Sequence, residues 1–434
     1  MTKAPMPTAR CCLAVVTHAA TLYTFGGEIP TSGLNIVFAT VEAYDPSTDS
    51  WVSKTPMPTP RYYAGAAVLG DIHYVAGGLD SSNHITPVFE AYDPKTNTWI
   101  NKSPMPTPRS HLALVAADGI IYAIGGVKIG FNNITLDTVE AYDPKTNTWT
   151  TMTPMPTPRC CMAAGVIGGL IYVAGGIRFI GHSGSESPSS LEVYDPKSGT
   201  WSTKALMTAG VGGTAGGVLA GKLYVVGGAL DPLSTDPARK SVEAYDPETN
   251  TWATLPAMPT ARLSPGVGVV DDTLYAVSGQ NRDGSVANVN EAFSPFVHIA
   301  IDIKPGDGRN TINLKSQGVV AVAILGSATF DPLTVDPATV TLAGAPVATR
   351  RSGQPMASQG DFNHDGYLDL LLHFRTQDLQ LTPTSTEAVL YGTTTTGQRI
   401  RGADSVRLLS PRVTILSPNK EVPIRRADSR QAVR

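Results

Sequence analysis

The ten residues from Glu90 to Trp99 (Glu-Ala-Tyr-Asp-Pro-Lys-Thr-Asn-Thr-Trp) return unchanged from Glu140 to Trp149 and with one substitution from Glu243 to Trp252. Self-similarity at a period of about 50 residues is the mark of a repeat architecture. One such unit cannot bury its apolar face alone, so its copies must pack against one another as a propeller or a solenoid.

Alignment on Tyr-x-x-Gly-Gly yields six units, with glycine pairs at Gly26-Gly27, Gly77-Gly78, Gly125-Gly126, Gly175-Gly176, Gly227-Gly228 and a degenerate Ser278-Gly279. Each unit reads as four short strands separated by Gly, Pro, Asn and Asp, the residues of tight turns. The first strand follows Pro-Thr-Pro-Arg, the second ends at the glycine pair, the third ends in Tyr-Asp-Pro and the fourth carries Trp. Paired glycines permit positive φ and close backbone approach. The Asp-Pro-Lys-Thr-Asn run is a turn, with Pro setting φ and Asn tolerating the left-handed region. Recurrent Tyr and Trp would supply the large apolar contacts between units.

Glycine pair, Tyr-Asp-Pro turn and spaced Trp together resemble the kelch repeat over residues 1–297. The resemblance implies an all-β fold, a six-bladed kelch β-propeller. The sixth copy departs from it, with Ser278 for Gly, Phe293-Ser294-Pro295 for Tyr-Asp-Pro, and no Trp. In four copies Trp precedes the marker Arg by ten residues, which places the Trp that belongs with Arg10 at position zero. Kelch propellers often close by joining an N-terminal strand to the last blade. The expectation is therefore a closing strand, together with a secretion signal, upstream of Met1.

Arg10, Arg61, Arg109, Arg159 and Arg262 open the first strand of five units, and Val211 stands at the sixth. As a ring of guanidinium groups they are candidate ligand-binding residues for a carboxylate or an acidic segment. The alternative is that each pairs with a repeat glutamate (Glu42, Glu90, Glu140, Glu192 or Glu291) and orders the blades, although Glu243 persists in the unit that lacks Arg. The resemblance puts the loops after the glycine pairs, 28–39, 79–88, 127–137, 177–190, 229–241 and 280–290, on the same face. These vary in length and composition, and variable loops on a rigid scaffold are where binding resides. Cys11-Cys12 and Cys160-Cys161 occupy the same repeat position in opposite blades, too distant to bridge, and read as free buried thiols, with metal or redox use as the alternative.

After residue 297 the period stops, and 298–412 reads as a second, β-rich, sandwich-like domain. Stretches such as Ile303-Lys304-Pro305-Gly306 and Leu371-Leu372-His373-Phe374 resemble a module of secreted or surface bacterial proteins. Within it, Asp361, Asn363, Asp365, Tyr367 and Asp369, with Gly366, match the start of an EF-hand loop, and the loop resembles the calcium loops of extracellular β-repeats. Calcium, as a structural ion, is the expected cofactor, although Leu372 stands where the EF-hand has its bidentate glutamate. Residues 413–434 read as a flexible basic tail.

Composition narrows the function. With 33 Lys and Arg against 36 Asp and Glu, the net charge of -3 supplies no field to attract nucleic acid. No apolar run reaches the ~18 residues of a membrane helix. A copper radical oxidase of the galactose oxidase type needs converging Tyr, Cys and two His, whereas His18, His73, His84, His111, His182 and His298 fall at different repeat positions. The expectation is a non-catalytic binding protein, extracellular or at a bacterial surface, that takes a protein or glycan ligand on its loop face. The enzyme alternative is a sugar-active, sialic acid mutarotase-like protein, marked by Arg and carboxylates converging unpaired on one pocket.

Overall fold

The computed structural model describes residues 1–32, 35–129, 133–180, 184–230, 236–281 and 283–409; the expected basic tail at 413–434 lies outside them. Two compact units, Met1–Pro295 and Phe296–Arg434, make up the chain.

Among the described residues the first unit contains six four-stranded antiparallel sheets. Gly65–Leu69, Ile72–Ala76, Phe89–Asp93 and Thr98–Asn101 form one of them, in that order. The first strand of each sheet lies beside the first strand of the next, and the last of these, Gly266–Val270, returns to the first, Ala14–His18. Val269 N donates to Thr17 Oγ1 at 3.1 Å across that junction.

Burial runs from sheet to sheet. Ala76 and Phe89 of one sheet share a core with Ile121, Ala123 and Tyr142 of the next. The Phe89 ring meets Tyr142 edge-on at 4.7 Å and Trp149 at 5.0 Å. No sheet buries its own face, which is why the copies must stack. The turn asparagine also reaches between sheets. Asn97, at φ 57°, accepts from the Tyr92 hydroxyl at 2.7 Å and from Thr55 N of the preceding sheet at 2.9 Å. Asn147 and Asn250 repeat the arrangement.

The sixth sheet takes its fourth strand from the chain start: Thr2–Lys3 pairs antiparallel with Asn290–Phe293, Thr2 opposite Glu291. The closing strand thus includes residues of this chain, Thr2–Lys3, beside Asn290–Phe293. Thr2 and Lys3 carry no apolar signal, so the strand exists through its pairing.

Every tryptophan donates its indole N–H to a carbonyl of the sheet before it: Trp99 to Thr55 at 3.0 Å, Trp149 to Ser103 at 2.9 Å and Trp252 to Ala205 at 2.8 Å. The equivalent carbonyl for the sixth sheet is Pro256. A cavity of about 220 Å³, lined by Met1, Val226, Pro256, Met258, Leu274 and Phe293, occupies the equivalent place. A tryptophan added ahead of Met1 is expected to fill it and stabilise the domain by about 1–2 kcal/mol. Thermal melting against the same chain extended by serine checks this, and equal midpoints would reject the assignment.

In the second unit, a five-stranded sheet (Val297–Ile299, Arg399–Ser405, Glu387–Thr393, Thr341–Leu342, Ala345–Pro346) and a four-stranded sheet (Ile301–Ile303, Val319–Ile324, Asp369–Arg375, Ala357–Gly360) share one core. Ile303, Val322, Leu372 and Phe374 from one sheet and Leu342, Leu390 and Ile400 from the other are completely buried in it.

Candidate functional site

The five marker arginines are fully buried, and each guanidinium is paired with the glutamate of its own sheet. Arg61 meets Glu90 at 2.6 Å and Arg159 meets Glu192 at 2.7 Å. The other glutamate oxygen accepts the hydroxyl of the threonine two residues before the arginine, as Thr59 does to Glu90 at 2.8 Å and Thr107 to Glu140 at 2.7 Å. Arg61 and Arg109 also donate to strand carbonyls, those of Val75 and Ala123. Burial lowers the arginine pKa values, that of Arg109 to about 10, while the glutamates oppose the shift. In the unit without arginine, Glu243 is held by Thr208, hydroxyl to carboxylate 2.6 Å. Of the two readings of Arg10, Arg61, Arg109, Arg159 and Arg262, the structure displays the architectural one: these groups are enclosed and bonded, and present no ring to a ligand.

The chemistry that borders a cleft lies two residues further along. Cys12, Tyr63, His111, Cys161, Gly213 and Ser264, one per sheet, all have φ between 46° and 63°. They are joined in series, from Cys12 round to Ser264, by backbone hydrogen bonds: Tyr63 N to Cys12 O (2.8 Å), His111 N to Tyr63 O (2.8 Å), Cys161 N to His111 O (3.0 Å) and Ser264 N to Gly213 O (2.7 Å), with Thr214 N to Cys161 O (3.3 Å) between them. A left-handed conformation in a residue with a side chain stores on the order of 1 kcal/mol or more. The series holds five such residues and turns their side chains toward the axis shared by the six first strands.

These residues line two clefts. One, of about 180 Å³, is bordered by Cys12, Tyr63, His111, Cys161, Thr214 and Ser264 above the alanines and valines of the first strands. The other, of about 200 Å³, shares Tyr63, His111, Cys161 and Ser264 and extends to Ile129, Phe179 and Gln280 of the variable loops. His111 stacks on Tyr63, ring centroids 3.5 Å apart, and its Nδ1 lies 2.9 Å from Ser110 Oγ. Burial pushes its pKa down to about 3, so the imidazole is neutral near pH 7. Among the described residues, the lining of both clefts contains neither an arginine nor a carboxylate.

Around this mouth stand the variable loops, several stiffened by short antiparallel ladders: Glu28–Ile29 with Ile36–Val37, Val127–Lys128 with Ile134–Thr135, and Arg178–Ile180 with Gly184–Glu186. Their tips carry Ile36, Ile129, Ile134, Ile180 and Leu230, all exposed, Ile134 by 55%. The thiols are free and largely buried, with Cys11 and Cys12 beside Glu28. Burial raises the Glu28 pKa to about 7, against hydrogen bonds from Cys12 and Asn35.

Residues 1–176 match the KLHDC2/KLHL20/DRC7 Kelch-repeats domain family, and 158–207 and 212–259 match the Kelch motif. The first domain is a kelch-repeat β-propeller. Kelch-like ECH-associated protein 1A of Danio rerio is 37% identical over 95 residues, 22% of this chain and 16% of that protein. Human Kelch-like protein 26 is 34% identical over 118 residues, 26% of this chain and 19% of its own length. The chain thus spans less than a fifth of either kelch relative. The solved structure of YjhT superposes with a TM-score of 0.56 at 17% identity, covering 67% of this chain and 96% of that one. At that identity the likeness speaks for the fold alone, a kelch propeller followed here by a separate β-rich domain.

The calcium reading of the C-terminal domain is corrected. Among the described residues, the one group of His, Cys, Asp and Glu able to converge on a metal is Cys11, Cys12 and Glu28, two thiols and a carboxylate, which do not suit calcium. Asp361, Asn363, Asp365, Tyr367 and Asp369 form a turn whose oxygens are engaged locally. Asp369 is fully buried and accepts from Gly326 N and Phe362 N, both at 2.8 Å. Asp361 accepts from Asp365 N and Gly366 N, and Asp365 from Tyr367 N and the Asn363 amide. Backbone N–H groups do here what a cation was expected to do.

Of the mouth residues, the sequence reading singled out Cys12 and Cys161 as thiols at one repeat position, but it did not place them, or Tyr63, His111 and Ser264, at a cleft, because the residues that follow each marker position vary from unit to unit. Variation inside constancy was the available clue.

Proposed function

We propose that the first domain is a six-bladed propeller that acts as a protein-binding module, gripping a partner with the mouth and its loops. The observation that carries this reading is the set of exposed apolar tips, Ile36, Ile129, Ile134, Ile180 and Leu230, gathered on the variable loops around a neutral mouth. A cleft rimmed by aliphatic side chains suits the apolar core of a protein interface better than a glycan, which calls for dense hydrogen-bonding groups. The matched kelch proteins, an ECH-associated protein among them by its printed name, favour the same class of function. The sugar-enzyme alternative asks for unpaired arginines and carboxylates at the mouth, and the marker arginines are all engaged elsewhere. With calcium withdrawn, the proposal of an extracellular or bacterial-surface location rests on the resemblance of the C-terminal module, which we propose is a sandwich that spaces or attaches the propeller.

The test compares proteins retained from the native extract by wild type, by a loop variant (Ile36→Ser, Ile134→Ser, Ile180→Ser) and by a variant of the fourth-strand surface (Val52→Ser, Ile100→Ser). The expected result is at least a tenfold loss of a specific partner in the loop variant alone, as hot-spot truncation would produce. Equal retention by all three proteins would reject the reading.

A further inference from the structure

Glu28 is the exception at its place in the repeat. The residue after each glycine pair forms a backbone bridge with the residue after the marker position: Cys11 with Glu28, Tyr62 with Leu79, Ser110 with Val127, Cys160 with Ile177, Gly212 with Ala229 and Leu263 with Gln280. Four of these partners are apolar and one is a neutral amide, whereas the first is a carboxylate only 4% exposed. An isolated carboxylate is expensive to bury unless something compensates it. Glu28 accepts from the Asn35 amide, Nδ2 to Oε2 2.5 Å, and from the Cys12 thiol.

What faces it is a pair of thiols. Cys11 and Cys12 are buried, with sulfurs 2.9 Å apart, and both sulfurs and a Glu28 oxygen lie within 4.8 Å of one another. Cys12 takes the left-handed conformation of the mouth series and lines the mouth cleft. Cys160 and Cys161 provide an internal comparison: their sulfurs are 3.3 Å apart, but the residue bridged to Cys160 is Ile177, so that pair has no carboxylate.

We propose that Cys11, Cys12 and Glu28 form a binding site for one divalent ion of the zinc class. Two thiolates and a carboxylate are a borderline-soft donor set that suits zinc and its neighbours and disfavours hard oxygen-seeking ions. Zinc–sulfur bonds of ~2.3 Å in a tetrahedral arrangement require the two sulfurs to part by less than ~1 Å, within reach of side-chain rotation. Binding displaces both thiol protons to solvent, leaving the ion held by two thiolates and the carboxylate. Three protein donors leave a fourth position for water or a donor from a bound molecule, and Cys12 is the ligand that also lines the mouth cleft.

The test titrates the reduced, metal-free full-length chain with zinc chloride against a chromophoric chelator, and with cobalt(II) chloride followed by absorption. Wild type and Cys161→Ser are expected to bind one ion, with a thiolate-to-cobalt charge-transfer band and a zinc-dependent rise in melting temperature. Cys12→Ser and Glu28→Gln are expected to weaken binding by at least the ~10-fold that loss of even an outer partner costs. Glu28→Gln preserves size and hydrogen bonding, so its metal-free melt shows whether the fold is intact. Absence of stoichiometric zinc in wild type, a cobalt spectrum without the thiolate band, or equal affinity in Glu28→Gln would each overturn the assignment.

Discussion

Replacing Arg61 with leucine is expected to lower the stability of the propeller by about 3–5 kcal/mol, read from urea unfolding, because it strands the Glu90 carboxylate in a place water does not reach. Arg61 and Glu90 are 0% and 1% exposed at the side chain, with 2.6 Å between charged atoms. Only the Thr59 hydroxyl would remain on the carboxylate. The double variant Arg61→Leu/Glu90→Leu removes both charges and is expected to recover much of the loss, since the desolvation of two ions offsets most of their attraction. A loss below about 1 kcal/mol in the single variant would mean that the pair behaves as a solvent-exposed one and that the arginines are not the internal ties described here.

Substituting Gly77 with alanine is expected to cost about 2–4 kcal/mol through two separable effects. The residue sits at φ +64°, and an added Cβ would lie 2.4 Å from the Arg109 carbonyl oxygen of the next sheet. That same carbonyl receives the Gly78 N–H at 3.1 Å, so the backbones cannot part without losing the bond that links the sheets. Gly70→Ala is the matched control, with φ +59° and nothing within 4 Å of the added carbon. It is expected to cost only the dihedral term, about 1 kcal/mol. Equal melting-temperature losses in the two variants would show that the glycine pairs serve backbone conformation alone and not the close approach of neighbouring blades.

These two sites show why the repeat was legible. Thr59, Arg61, Gly77, Gly78, Glu90, Asn97 and Trp99 each meet a partner inside the same unit or its immediate neighbour, so the constraint recurs with the period and leaves the same letters at the same spacing. The pairing of Arg with Glu was foreseeable as one of two readings; that it takes place in the interior could not be told from letters alone. Asn97 was read as a turn residue, and its second role, accepting Thr55 N from the preceding sheet, depends on a contact 42 residues away in the chain.

The C-terminal turn shows the opposite case. Asp361, Asn363, Asp365 and Asp369 carry the spacing of a cation loop, but an oxygen at a given spacing serves a metal and a backbone N–H equally well. The direction of each carboxylate, which spacing does not encode, gave Asp369 to Gly326 N and Phe362 N. Closure of the ring was similarly hidden, because Thr2 and Lys3 have no strand signature and pair only where Asn290–Phe293 presents an open edge.

By itself, the sequence determined the all-β repeat, its period, its turns and the division into two domains, because those follow from local conformational preferences and from contacts between adjacent copies. Tertiary structure alone decided where the chemistry lies. Cys12, Tyr63, His111, Cys161 and Ser264 stand tens of residues apart, and only the two cysteines share a residue type. They meet because the first strands close on one another, and a series of hydrogen bonds between sheets holds each in the left-handed conformation at the mouth. That placement is a property of the closed ring, and no single repeat contains it.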